Sequence, residues 1–224
     1  MKIEVMNSFL PQLQILPAAQ QELWHELSCI PNEFILYGGT AIALQLGHRI
    51  SIDFDFFCFA EFDPERLLHK IPLLVEADIL QLEENTLTCS LNRNGLVQIS
   101  FFGLPKLHQV YSALKLENPN LKVASLLDLF GMKVMVVQKR AQLKDYLDII
   151  SLIKSGLTLS QGLAVSQIIH GKMFNPQIAL KALTYFEDGD VKLLDSEDRN
   201  FLMRKVKEVD LDNLPNIELR CEGN

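Results

Sequence analysis

YGGTAIALQLGHRISIDFDFF, residues 37–57, is the stretch whose reading decides the fold. The run leading into it, Phe34 to Tyr37, is short, apolar and bounded by Gly38-Gly39, which predicts a buried strand entering a tight turn. Thr40 to Leu46 reads as a short helix closed by Gly47. Ile50 to Phe59 reads as a second strand. Side chains alternate along a strand, so Ile52, Phe54 and Phe56 are expected on one face and Ser51, Asp53, Asp55 and Phe57 on the other.

This unit brings two kinds of chemistry together. The glycines let the backbone turn sharply and let a ligand approach it. The helix that follows directs its free N–H groups and the positive end of its dipole at that place, which suits phosphate. Gly38, Gly39 and Thr40 are therefore the candidate phosphate cradle. Asp53 and Asp55 lie on one face, roughly 7 Å apart at Cα. Two such carboxylates form a hard-oxygen clamp for Mg²⁺, or Mn²⁺ in its place. An Asp-x-Asp pair by itself is more often a solvated pair than a site, and a lone Gly-Gly is only a turn. Here the flanking Ile52, Phe54 and Phe56 mark a half-buried strand, where two aspartates are costly unless they are solvated or bind something.

Working outward, Pro17 to Cys29 has helical spacing at Leu23, Trp24 and Leu27, and Pro31 stops it. Asp63-Pro64-Glu65 opens a helix running toward Leu74, with Pro72 predicting a kink or early end. Ala77 to Leu82 reads as a strand. Thr86 to Asn92 and Leu96 to Phe102 read as a hairpin about Asn94-Gly95, a pair that supplies the positive φ angles of a tight turn. From about Pro105 the pattern becomes helical. Ser125 to Asp128 has a capping-box form, and a long helical region follows to Ile153, with a break allowed near Arg140. Asn175-Pro176 opens another helix through Phe186, and Ser196 to Val209 is amphipathic. The tail after Asp210 is polar and expected to be loosely held. The domain expectation is a core over residues 1–104 and a helical region over 105–224 that completes the active site.

Composition narrows the function classes. The 224 residues carry a formal net charge of -7. An acidic surface argues against a broad DNA footprint, because non-specific binding rests on Lys and Arg. A small basic patch for an RNA end remains compatible. Cys29, Cys58, Cys89 and Cys221 never form a C-x-x-C pair and read as reduced thiols, three of them buried. Glu4, Asn7 and Pro11 interrupt any secretory run, and no apolar stretch reaches the roughly 20 residues of a membrane span. A cytoplasmic protein is expected. His25, His69, His108 and His170 are isolated, so a histidine metal cluster is not expected. Trp24 and the phenylalanines sit at core spacing.

The stretch at 37–57 resembles the signature of the AbiEii/AbiGii toxin family within the DNA polymerase β-like nucleotidyltransferases. That superfamily carries a glycine-rich turn followed by Asp-x-Asp on the next strand. A second block agrees: Asp128 to Lys133 and Arg140 to Asp148 resemble the family's lysine-bearing helix and its arginine/lysine/aspartate motif. The resemblance covers about Phe34 to Ile153. It implies an α+β fold, with a polymerase β-like core built on a mixed sheet and a helical C-terminal half. It also implies a toxin of a bacterial toxin–antitoxin or phage-defence system, acting on a nucleoside triphosphate and on RNA such as a tRNA acceptor end, with an antitoxin as partner.

On one continuous helix Lys133, Arg140 and Lys144 would fall within roughly 40° of each other and form a basic stripe. Such a stripe suits the charge that develops as an α-phosphate is attacked. The alternative is a solvated face on which Lys144 and Asp148 form an i,i+4 pair. Asp145 would orient the basic residues or cap a helix. His48 and Arg49, just after the short helix, could contact phosphate or ribose; His48 could equally be a helix-end residue. The chain departs from the superfamily in one respect. A third carboxylate often stands on a neighbouring strand, and the second hairpin arm shows Gln98 and Ser100 there. Another residue takes that part, or one metal suffices, or the protein binds nucleotide as a non-catalytic sensor. A plain interaction module is the remaining alternative.

Overall fold

Strict alternation of burial at Phe54–Cys58 places Phe54, Phe56 and Cys58 inside and Asp55 and Phe57 half-exposed. In this computed structural model, which describes residues 8–218, that strand lies at the middle of the sheet. The chain divides into two compact units. The first runs to Leu107 and takes in Ala113–Ser125; the second joins His108–Ser112 to the residues from Leu126 onward.

The first unit contains helices α1 (Ala18–Trp24), α2 (Gly38–Leu46) and α3 (Pro64–Lys70). Its strands are β1 (Ile35–Tyr37), β2 (Phe54–Cys58), β3 (Asp78–Glu83), β4 (Thr86–Asn92), β5 (Leu96–Gly103), β6 (Leu114–Leu116) and β7 (Leu121–Val123). They form one mixed sheet in the order β3-β4-β5-β2-β1-β7-β6. β2 is antiparallel to β1 and parallel to β5, and β1 is parallel to β7. One face is apolar. Phe54, Phe56, Ile99, Phe101, Leu87 and Cys89 are fully buried there, with the Trp24 ring 6.4 Å from Phe54 and Phe56 stacked on Phe101 at 5.4 Å. Burying such side chains is worth about 1.5–3 kcal/mol each, so the alternation fixes the register of the strands.

Several expectations change in detail. The helix expected over 17–29 is α-helical to Trp24 and then a 3₁₀ turn, His25–Cys29. The strand expected from Ile50 begins at Phe54: Ile50 and Ile52 are 59% and 54% exposed, so Ile52 does not share the buried face of Phe54 and Phe56. The region after Pro105 is not wholly helical, because β6 and β7 return to the sheet. These two strands have three residues each, too short for alternation to register in the sequence. Cys58 and Cys89 are buried and Cys29 is half-buried; Cys221 lies outside the described residues. Of the polar tail, Asp210 caps a 3₁₀ turn at Leu211–Asn213, and residues 219–224 lie outside the described residues.

The second unit contains α4 (Leu126–Val136), α5 (Leu143–Lys154), α6 (Leu159–His170), α7 (Pro176–Ala182) and α8 (Ser196–Lys207). α6 was not anticipated, although Thr158 and Gln161 form a full capping box at its start. α4 and α6 cross closely because Gly131 and Gly162 stand at the contact. A Cβ at 131 would meet Val165 Cγ1 at 2.6 Å, and one at 162 would meet the Phe130 ring at 2.7 Å. The carboxylate of Asp128, fully buried, accepts from the backbone N–H of Val110 at 2.7 Å and of Tyr111 at 3.0 Å, which ties His108–Ser112 to α4.

His170 closes α6 at 8% exposure, and its Nε2 has no hydrogen-bond partner among the described residues. Burial pulls its pKa down to about 4, with the charge of Lys139 adding to the effect. An unfolded histidine titrates near 6.5, so between these values the unfolded chain binds the extra proton. Stability from this group is therefore flat above pH 6.5 and falls as pH drops toward 4. At pH 5 the loss is about 2 kcal/mol. Melting curves of the wild type and His170→Leu at pH 7 and pH 5 should show the smaller acid loss in the variant. Equal losses would rule the assignment out.

Candidate active site

Three backbone contacts fix the segment ahead of β2. Ser51 N–H donates to the Ile15 carbonyl at 3.2 Å, and Gln20 Nε2 donates to the Ile52 carbonyl at 3.0 Å. Thr40, buried in the first turn of α2, donates its hydroxyl to the Asp53 carbonyl. With its own proton so placed, Thr40 Oγ1 accepts from Ser51 Oγ at 2.7 Å. Residues 51–53 are thus held in turn, and Asp53 reaches the mouth of β2 half-exposed. The Thr40 side chain is committed to this clamp, so any part it takes in a phosphate cradle is through its backbone.

Asp55 pairs with Tyr37, the residue before the glycine turn. Its carboxylate stands directly over Gly38: a Cβ built there would lie 2.5 Å from Asp55 Oδ2 and 3.3 Å from Asp55 Cγ. Gly38 also has φ +71°, which L side chains rarely adopt. Glycine is required here for both reasons, and its missing side chain leaves room for the carboxylate at the start of α2. Gly38 and Gly39 are themselves half-buried. A positive helix end, hard carboxylate oxygens and open backbone suit a divalent cation carrying phosphate. His48 and Arg49 follow Gly47, the C-cap of α2, roughly 14 Å along the axis from Gly38. Arg49 donates to the Ile50 carbonyl at 3.0 Å.

Substituting Gly38 by alanine should therefore disturb the site before it disturbs the fold. Displacing the Asp55 carboxylate by about 1 Å is expected to lower turnover roughly 10²-fold. The backbone strain should cost about 1 kcal/mol or more. Activity and melting temperature measured together would check this, and unchanged activity would show that Asp55 is not held by the turn.

In the second unit the basic residues do not form the expected stripe. α4 ends at Val136 and α5 begins at Leu143, so Lys133, Arg140 and Lys144 share no helix face. Lys144 is exposed, beside a fully buried Asp145 that points the other way. Lys133, 7% exposed, makes ion pairs with Asp145 at 2.6 Å and Asp148 at 2.7 Å. Arg140 lies in the connection and bonds Asp145 through Nε at 2.8 Å and through a second nitrogen at 3.2 Å. Burial pushes the Asp145 pKa up, but the Arg140 hydrogen bonds and the Lys133 charge outweigh it and hold the carboxyl below its ordinary value.

Two buried carboxylates and two cations balance, which is how buried charge is tolerated. Asp145 accepts from both Lys133 and Arg140, and Arg140 keeps a side chain 46% exposed. Asp148 belongs to this cluster rather than to a surface pair with Lys144. The sequence carried a signal for it: Asp145, Asp148, Ile149 and Leu152 repeat at the spacing of one helix face, the face buried in α5.

Among the described residues no single helix is long and apolar enough to cross a membrane. The chain is similar over most of its length to proteins already described. It is 33% identical over 196 residues to an uncharacterised protein of Aquifex aeolicus (strain VF5), covering 80% of this chain and 89% of that protein. Its fold resembles that of MenT4, a nucleotidyltransferase toxin from Mycobacterium tuberculosis H37Rv, with TM-score 0.60 and 12% identity over 87% of this chain and 83% of that one. A protein from H. pylori classed as a nucleotidyltransferase gives TM-score 0.52 and 15% identity over 84% and 90%. Residues 26–218 match the family described as Nucleotidyl transferase AbiEii toxin, Type IV TA system. With that match spanning most of the chain, and with the glycine turn and Asp53-x-Asp55 in place, the protein belongs to the AbiEii nucleotidyltransferase toxins.

Proposed function

We propose that this nucleotidyltransferase moves a nucleotide from a nucleoside triphosphate to a hydroxyl of RNA such as a tRNA acceptor end, using Mg²⁺ or Mn²⁺ at Asp53 and Asp55. The acceptor oxygen bonds to the α-phosphorus, the bond to the β,γ-pyrophosphate breaks, and the acceptor proton leaves to solvent. When bound, the ion supplies Lewis-acid neutralisation of phosphate charge. Asp53 and Asp55 supply its oxygen ligands. The backbone N–H groups at Gly38 and Gly39 face the β- and γ-phosphates, and the Thr40 hydroxyl keeps Asp53 in place. For the second unit we propose one anion contact, the half-exposed Arg140 guanidinium, aimed by Asp145. Lys133 neutralises Asp145 and Asp148 and acts as a positioning residue.

The observation that carries this reading is the Asp55 carboxylate over Gly38. Membership of a type IV toxin–antitoxin family supports an antitoxin partner. The test is incubation of the purified protein with each labelled nucleoside triphosphate, Mg²⁺ and total RNA, beside Asp53→Ala. Label should enter RNA with the wild type and not with the variant. Transfer that persists in Asp53→Ala, or in excess chelator, would overturn the metal assignment. Tight nucleotide binding without transfer to any RNA would favour another acceptor.

A further inference from the structure

Ser100 is the in-register neighbour of Asp55 on the parallel strand β5. Register partners in a sheet present their side chains on one face, about 5 Å apart. Ser100 is 2% exposed, and its Oγ accepts from Thr88 Oγ1 at 3.4 Å and from Gln98 Nε2 at 3.5 Å. The row continues across the sheet through Thr88 to Gln81. Asp55 is therefore followed on its face by three neutral groups. Among the described residues no three His, Cys, Asp or Glu side chains converge as a metal site.

Two divalent ions held a few ångströms apart repel strongly and need shared carboxylates between them. A row of hydroxyl and amide groups supplies no such charge. Resting on Asp53 and Asp55 as the metal-binding pair, we propose that this protein works with a single divalent ion, which enters with the triphosphate, and that Ser100 is the position that sets this number.

The experiment counts ions rather than turnover. Mn²⁺ is titrated by calorimetry and by electron paramagnetic resonance into the wild type, Ser100→Ala and Ser100→Asp, each saturated with α,β-methylene triphosphates of the four bases. One Mn²⁺ per chain is expected for the wild type and Ser100→Ala, and two for Ser100→Asp. The aspartate variant should also melt lower without metal, since it places a buried carboxylate beside Asp55, and regain more stability from Mn²⁺ than the wild type does. Two ions in the wild type would overturn the proposal, as would one ion in a folded Ser100→Asp. Should that variant not fold, the wild-type count decides alone: one supports, two overturns. No uptake by the wild type with any nucleotide would instead sink the underlying metal assignment, and the proposal with it.

Discussion

Replacing Asp55 by asparagine is expected to lower nucleotidyl transfer about 10³-fold while leaving the melting temperature within about 2 °C of the wild type. The side chain keeps its size, so the space over Gly38 stays filled. What is lost is a formal charge at the place proposed for the ion. Removing such charge stabilisation is worth about 4 kcal/mol of the barrier, which gives the stated factor. Stability should hardly move, because a half-exposed carboxylate exchanged for its amide disturbs no packing. Asp78, exposed on the edge strand β3, is the control, and its amide variant should keep full activity. A 10-fold loss or less in Asp55→Asn, with Mn²⁺ affinity unchanged, would remove Asp55 from the metal site.

The second large effect falls on stability. Lys133→Met leaves Asp145 and Asp148, both fully buried, short of one cation. Breaking a buried pair from one side costs about 3–5 kcal/mol, or roughly 10 °C in melting temperature for a chain of this size. Adding Asp148→Asn removes one stranded charge and should recover part of the loss. The pH dependence has a definite sign. In the wild type Asp145 has a depressed pKa, so its stabilisation holds above the ordinary carboxylate value and is lost only as pH falls through the lower, folded one. Without Lys133 the buried carboxyls bind protons more readily than they do in the wild type, so the deficit of the variant should narrow as the pH falls from 7 toward 5. Paired thermal melts across that range test both points. A deficit under 1 kcal/mol that does not change with pH would mean that Lys133 is not needed to hold the two aspartates.

The apolar alternation at Phe54 and Phe56, the glycines ahead of Thr40 and the hairpin about Asn94-Gly95 were legible in the sequence because each rests on local stereochemistry. Periodicity assigns a face, and a glycine supplies a positive φ, without knowledge of the remainder of the chain. Asp53 and Asp55 were legible as a pair by their spacing, although only Asp55 lies on β2, which begins at Phe54. β6 and β7 were not legible: three residues carry no period, and β7 forms a strand because β1 offers it an open edge, after which β6 pairs with β7.

The basic residues show the limit from the other side. Lys133, Arg140 and Lys144 align on an ideal helix, and sequence spacing stays blind to the break at 137–142 that separates them. Which carboxylate meets which cation is settled by burial, since a charge removed from water must find its partner wherever packing has put one. The sequence by itself thus determined the strand, the glycine turn and the two aspartates that follow. Tertiary structure alone decided that Thr40 serves as a clamp, that Lys133 is neutralised by Asp145 and Asp148, and that Ser100 stands beside Asp55. Local geometry is encoded within a few residues, while pairing across strands and helices depends on which surfaces the collapsed chain brings into contact.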